Sequence, residues 1–322
     1  MSEVNNSTVS IVVPTLGDIE RLRVSLPTLV RALEARGFEP DEIVVVDDSG
    51  ADRASTTVPE VLGSLDGSQK RSVHVVATTG RAGFAAAVLK GARRSRGSLL
   101  FICQDDVELT DGALKALTGA MRDETVFAAG PMIVQSNDDE GAGEFVTPHL
   151  RLSDDRLEVR EATTRGPAPD VERASFVPAT ALMVRRETFI ELGGFDPLFA
   201  PFSWDDVDLG ISARRRGLSV LRVGNARVIH HTDLPSIWTE VDGEVANAIV
   251  ERNRLLLRWK HLATRADATE HLVSLWRQVL EAGLMGDRET LERVCLAFES
   301  LSGVTASRIK MAGVQRELAD VL

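Results

Sequence analysis

Four short runs of nearly unbroken apolar residues recur in the first third of the chain: VSIVVP (Val9 to Pro14), DEIVVVDD (Asp41 to Asp48), SVHVVAT (Ser72 to Thr78) and SLLFIC (Ser98 to Cys103). A strand with one wet face alternates apolar and polar residues. Runs this continuous must be covered on both faces, which calls for parallel strands between two layers of helices. The intervening segments supply the helices. Ile19 to Arg36 sets Leu22, Leu26, Leu29, Val30 and Leu33 at core-facing spacing, and Gly83 to Arg94 reads as another helix. The expected fold class is α/β, a doubly wound, mostly parallel, Rossmann-like sheet. Ligands of such sheets gather at the carboxyl ends of the strands, where Asp47-Asp48, Thr79-Gly80 and Asp105-Asp106 fall.

Beyond these strands the pattern changes. Gln135 to Glu172 is rich in turn formers and acids and reads as a long loop or hairpin insertion at the rim of a site. Ser175 to Asp196 reads as a strand, a short helix and a Gly-Gly turn, WDDVDLGISARRRG (Trp204 to Gly217) opens a helix, and SVLRVGNARVIHH (Ser219 to His231) reads as a further strand pair. From about Gly243 the chain is helical. Its last part, 263–322, reads as a C-terminal helical appendage, with packing as the first expectation and a homodimer contact or peripheral membrane contact as the others.

Charge and cysteine content narrow the function classes. A net charge of −11 argues against nucleic-acid partners, since a phosphate polymer would be repelled. Two cysteines build neither a disulfide framework nor a zinc cluster. The polar N-terminus lacks a signal-peptide pattern, and no run has the apolar length of a membrane span, so the expected location is cytoplasmic, at most peripheral to the inner face of a membrane.

Three acidic clusters and one histidine pair could carry chemistry. Asp47 and Asp48 follow a strand, where a carboxylate accepts hydrogen bonds from a ribose or a base N–H, or caps the next turn. Asp105 and Asp106 put like charges at the edge of a low-dielectric core, which is costly unless a cation or hydrogen bonds compensate. A hard cation such as Mg²⁺ or Mn²⁺ takes one or two carboxylates and completes its shell with water and phosphate oxygens. Asp205, Asp206 and Asp208 open a helix, where the dipole alone favours them; the aromatic, Pro/Gly-rich loop before them suggests an acceptor pocket with a general base at its floor. His230 and His231 would point to opposite faces of an extended chain, so at most one meets an ion.

The order of these pieces resembles family 2 glycosyltransferases of the GT-A fold. The resemblance rests on VSIVVPTLGD, IVVVDDSGAD, GRAGFAAAVLKGARRSRGSLLFICQDDVEL, ALMVRRETFIELGGFD and WDDVDLGISARRRG, and it covers about residues 9 to 262. It implies a GT-A domain over 1–262, with a nucleotide-sugar-binding half at 9–134 and an acceptor half at 172–262. Asp47 or Asp48 would meet the uracil or thymine and the ribose of a UDP- or dTDP-sugar, in a donor site that also includes Pro14, Thr15, Arg81, Gly83, Gln104 and Asp105. Gln104-Asp105-Asp106 stands where the family has its DxD motif, with Gln104 in place of the first Asp. Asp106 and His230 would hold Mn²⁺ or Mg²⁺, Asp206 would be the general base, and Trp204 and Asp205 would contact the acceptor. The activity so implied is metal-dependent, inverting transfer of a sugar to a hydroxyl of a glycan, lipid-linked or other acceptor. The alternative is a catalytically silent nucleotide-sugar-binding scaffold. A nucleotidyltransferase fits poorly, because PTLGDIERLR has a single glycine and no basic phosphate loop directly after the first strand.

Overall fold

The structure is a computed structural model that describes residues 7–37, 41–65, 72–136, 145–153, 155–164, 169–234, 241–311 and 318. The four apolar runs form β1 (Val9–Thr15), β2 (Glu42–Asp47), β3 (Val73–Ala77) and β4 (Leu99–Cys103), all parallel, in the order β3-β2-β1-β4. Helices α1 (Ile19–Arg36), α2 (Ala54–Gly63) and α3 (Phe84–Arg94) connect them. Helix α1 begins where the Asp18 carboxylate accepts the amides of Glu20 and Arg21, and it ends at Gly37, whose left-handed φ of 64° lets its N–H reach the Leu33 carbonyl.

The sheet continues with mixed strands. After β4 the chain turns at Gln104–Asp106 into the short β5 (Val107–Leu109), then α4 (Ala113–Ala120) and β6 (Val126–Gln135). A hairpin, β7 (Phe145–Ser153) and β8 (Arg156–Thr164), fills part of the predicted insertion; residues 137–144 and 165–168 of that insertion lie outside the described residues, as do 1–6, 312–317 and 319–322. Then come β9 (Val171–Arg173), β10 (Ala181–Arg185), α5 (Arg186–Glu191), a 3-10 turn at Pro197–Phe199, α6 (Asp205–Arg215) and β11 (Ser219–His230). Strand β10 runs antiparallel between β4 and β6, and β11 lies parallel to β6. The predicted strand pair at 219–231 is instead one strand. Its Gly224-Asn225 dipeptide is absorbed as an irregularity between Val223 and Arg227, because β6 pairs with β11 on both sides of it and holds the chain straight.

Apolar side chains fill both faces of the sheet. One cluster joins β1, β2 and β4 to α1, α2 and α4, the other joins them to α3, α5 and α6. Leu22, Leu26 and Leu29 of α1 are fully buried, each contributing about 1.5–3 kcal/mol. Among the described residues four further helices follow: α7 (Gly243–His261), α8 (Arg265–Met285), α9 (Arg288–Glu299) and α10 (Leu301–Lys310). Leu256 and Leu257 of α7, Leu275 of α8, Val294 of α9 and Val304 of α10 share a third cluster with Phe199, Trp204, Val207 and Ile211. The terminal helices thus pack on the loop and helix that carry the second acidic knot. Among the described residues, no helix is long and apolar enough to cross a membrane.

Candidate active site

The loops after the parallel strands meet at one edge. The Asp47 carboxylate accepts the amides of Ser49 and Ala54 at 2.7 and 2.6 Å, which shapes the turn into α2. Asp48 accepts from the Ala82 and Gly83 amides at 2.7 and 2.8 Å and from the Thr78 hydroxyl at 2.6 Å. Both carboxylates are therefore engaged by their own loops, and Asp48 fixes the segment that exposes Arg81. Gly50, at φ 73°, lies where an added Cβ would sit 3.4 Å from the Arg81 amide nitrogen, so the β2 and β3 loops are in van der Waals contact. Thr15 is buried at the end of β1 and Pro14 is half-buried beside it.

The Gln104–Asp106 turn is held from three directions. The Gln104 amide donates to the Thr180 carbonyl, and the Thr15 hydroxyl donates to Asp105 Oδ2 at 2.6 Å. Arg21, from the first turn of α1, places Nε 2.7 Å from Asp105 Oδ1 and Nη2 2.9 Å from Asp106 Oδ2. This guanidinium is the cation that lets adjacent carboxylates sit at the edge of the core. Burial pushes the Asp105 carboxyl up in spite of Arg21 and Thr15, and it opposes the Arg21 charge, which Asp105 and Asp106 raise on balance.

Strand pairing brings His230 to the same turn. Strand β11 runs antiparallel to β5 with His230 opposite Val107, and the His231 amide donates to the Asp106 carbonyl at 3.0 Å. His230 Nε2 thus stands 3.4 Å from Asp106 Oδ2, while His231 Nε2 lies 3.3 Å from Glu108 Oε2. The two rings diverge as the strand period requires, and only His230 meets Asp106. Asp106 Oδ1 is buried and has no hydrogen-bond partner. A carboxylate with one orphaned oxygen, whose other oxygen is shared by Arg21 and the His230 imidazole, fits a divalent cation. Among the described residues no group of three or more His, Cys, Asp or Glu side chains could hold a metal, so such a cation would need further ligands from water and substrate.

The second acidic knot lies across the same short segment. Ala179, next to the Thr180 that accepts from Gln104, donates its amide to Asp206 Oδ2 at 3.2 Å, and the Val207 amide donates to Oδ1 at 2.8 Å. Burial raises the Asp206 carboxyl, and burial together with the Asp206 charge pushes Asp205 up to about 7. Neither carboxylate has an ion-pair partner among the described residues. Asp208 points away from the pair into the protein, where Lys260 Nζ and His261 Nε2 lie 2.7 and 2.8 Å from it, and Lys260 also meets Asp196 at 2.7 Å. Ser203 and Trp204 adopt left-handed φ of 76° and 73°, a costly conformation for two consecutive side-chain-bearing residues. Asn253 of α7 holds it by donating to the carbonyls of Phe199, Phe202 and Ser203. The Trp204 ring is buried under Arg254, with its indole N–H on the Val250 carbonyl, so it anchors the loop to α7 and presents little surface to a ligand.

Parallel strands β3-β2-β1-β4 running into mixed strands, with a carboxylate turn after β4, define a GT-A domain. The sequence profile described as glycosyl transferase family 2 matches residues 10–193, and the chain belongs to that family. Among solved structures, GalNAc-T7 with UDP, GalNAc and Mn²⁺ superposes with a TM-score of 0.62 at 18% identity, over 79% of this chain and 48% of the other. The mannosyltransferase PcManGT from Pyrobaculum calidifontis, in complex with GDP-Man and Mn²⁺, superposes with a TM-score of 0.55 at 14% identity, over 97% of this chain and 89% of the other. Both share the fold. Among curated sequences, the uncharacterized protein y4gI of Sinorhizobium fredii (strain NBRC 101917 / NGR234) is 24% identical over 268 residues, which are 78% of this chain and 27% of that protein. The O-antigen biosynthesis protein RfbC of Myxococcus xanthus is 27% identical over 149 residues, 44% of this chain and 11% of that protein. The chain thus spans about a quarter or less of the length of these two relatives.

Proposed function

We propose that the protein transfers a sugar from a nucleoside-diphosphate sugar, UDP- or dTDP-linked, to a hydroxyl of a glycan, lipid-linked or other acceptor, with inversion at the anomeric carbon. The observation that carries this reading is the Asp106 carboxylate, its Oδ1 orphaned and its Oδ2 3.4 Å from His230 Nε2, with Asp206 on the other side of Ala179–Thr180. Asp106 and His230 would hold Mn²⁺ or Mg²⁺, which supplies charge neutralisation for a departing diphosphate. Two solved relatives in fold hold Mn²⁺, one with UDP and the other with GDP-Man, which supports a divalent cation and a nucleotide donor here.

Asp206 takes the proton of the acceptor hydroxyl, to which its amide-held carboxylate is a fixed acceptor. The hydroxyl oxygen forms the new bond to the anomeric carbon while the carbon–oxygen bond to the diphosphate breaks, and that electron pair leaves with the nucleoside diphosphate. A carboxyl raised by burial is a better proton acceptor at neutral pH than an ordinary aspartate. Arg81, Gly83, Asp47, Asp48, Pro14 and Thr15 line the donor side, Gln104 and Asp105 brace the turn, and Asp205 borders the acceptor side. The residue spans 9–134 and 172–262 would divide these duties, with 263–322 supporting the second.

The test is release of nucleoside diphosphate from a panel of UDP-, dTDP- and GDP-sugars with Mn²⁺ and hydroxyl acceptors. Asp206→Asn is expected to lower turnover by about 10²–10⁴ while nucleotide binding persists. Unchanged turnover in that variant, or a product of retained configuration, contradicts the proposal. Binding of donors without turnover of any would favour the silent scaffold.

A further inference from the structure

Helix α8 is apolar on two sides. His271, Leu275 and Ala282 face the core, as expected of a packed helix. On the opposite side Leu272, Val273, Trp276, Leu280 and Leu284 are 51–86% exposed. At 100° per residue these five cover a sector of about 120°, the width of a stripe that normally faces a core. Together they expose on the order of 600 Å² of apolar surface, the upper end of what a monomer leaves bare. Flanking Arg277 and Glu281, 69% and 68% exposed, bring the face close to the roughly 800 Å² that each partner buries in a standard interface.

We infer that this face is a two-fold interface with a second copy of the same chain, in which α8 packs antiparallel on its counterpart. The stripe is self-complementary about Gln278. Reversed on itself, it sets Leu272 opposite Leu284, Trp276 opposite Leu280, and Val273 opposite Gly283, where an added Cβ would meet nothing within 4 Å. Arg277 and Glu281, an exposed intrahelical pair 4.0 Å apart, border the stripe on one flank and leave its apolar centre uninterrupted. A lipid surface is the poorer occupant. The helix carries Arg265 and Arg277 against Asp267, Glu270 and Glu281, and the chain carries −11, so an anionic bilayer would repel it.

The experiment is sedimentation of the full chain over a micromolar concentration series. Wild type is expected to dimerise, and Trp276→Glu to weaken the dimer by about a hundredfold, with an unchanged melting temperature at dilutions where both proteins are monomeric, because the ring is exposed. Leu280→Glu, opposite Trp276 in this register, is expected to weaken it at least about tenfold, as its side chain is likewise exposed. The inference is overturned by a wild-type monomer at 100 μM or above (about the limit of a biologically useful contact), by a dimer indifferent to both substitutions, or by flotation with phosphatidylglycerol vesicles that Trp276→Glu abolishes while the chain stays monomeric. Because the readout is mass and not transfer, these outcomes do not depend on the proposed activity.

Discussion

The two carboxylate pairs of the site, Asp105/Asp106 and Asp205/Asp206, solve one electrostatic problem in opposite ways. The first is paired with a cation: Arg21 bridges both members at 2.7 and 2.9 Å. The second has backbone amides and no cation, and burial drives both of its members toward the protonated form. A pair anchored by a guanidinium suits presenting its remaining oxygen to a metal ion. A pair with no cation, its carboxyls raised by burial, suits taking a proton from a hydroxyl.

The largest expected effect separates the pairs by sign. Arg21→Met leaves Asp105 buried without its counter-charge and is expected to cost about 3–5 kcal/mol in denaturant unfolding. Asp205→Asn removes a charge that has no cation, and is expected to gain on the order of 1 kcal/mol at pH 8, a figure kept small because the side chain is partly exposed. Two losses of similar size would erase the distinction.

The pH response sharpens it. A carboxyl raised from 3.8 to about 7 binds more protons folded than unfolded, so its contribution to stability is full below about 4 and declines as the pH rises through about 7. The stability difference between wild type and Asp205→Asn should therefore change over that window and level off above it. Transfer should show an acid limb lying above the ordinary aspartate range, since burial raises Asp206 and the base must be ionised to work. A rate that does not fall on acidification would count against Asp206 as the base.

Packing at α6 tests the second pair through its helix. A Cβ on Gly210 would stand 2.6 Å from Phe176 Cβ and the Ser175 carbonyl oxygen, so Gly210→Ala is expected to cost about 1–3 kcal/mol and to shift the acceptor helix. Turnover should fall while nucleotide affinity holds. Equal loss of both would mean that the acceptor and donor sides are not separable.

The first half of the fold was legible because its strands and helices are set by local pattern: continuous apolar runs, and leucines at helical spacing with a cap at each end of α1. The divergence of His230 and His231 followed from the two-residue strand period alone. What the sequence hid is long-range. Nothing local to Arg21 announces partners 84 residues away, and Asp208 reads as a first-turn acid although Lys260 and His261 claim it from another helix. Trp204 read as an acceptor contact, yet two left-handed residues swing its ring under α7. Ser219 to His231 read as a strand pair, yet β6 pairs along both sides of the irregularity between Val223 and Arg227 and keeps it one strand.

The proposed transfer requires that Asp106 and His230 hold a divalent cation. Titration of Mn²⁺ followed by electron paramagnetic resonance, with UDP present, tests it without any turnover. One bound equivalent is predicted for wild type and for Asp206→Asn, with binding lost in Asp106→Asn and weakened at least about tenfold in His230→Ala. Equal Mn²⁺ binding by all four proteins would contradict the account.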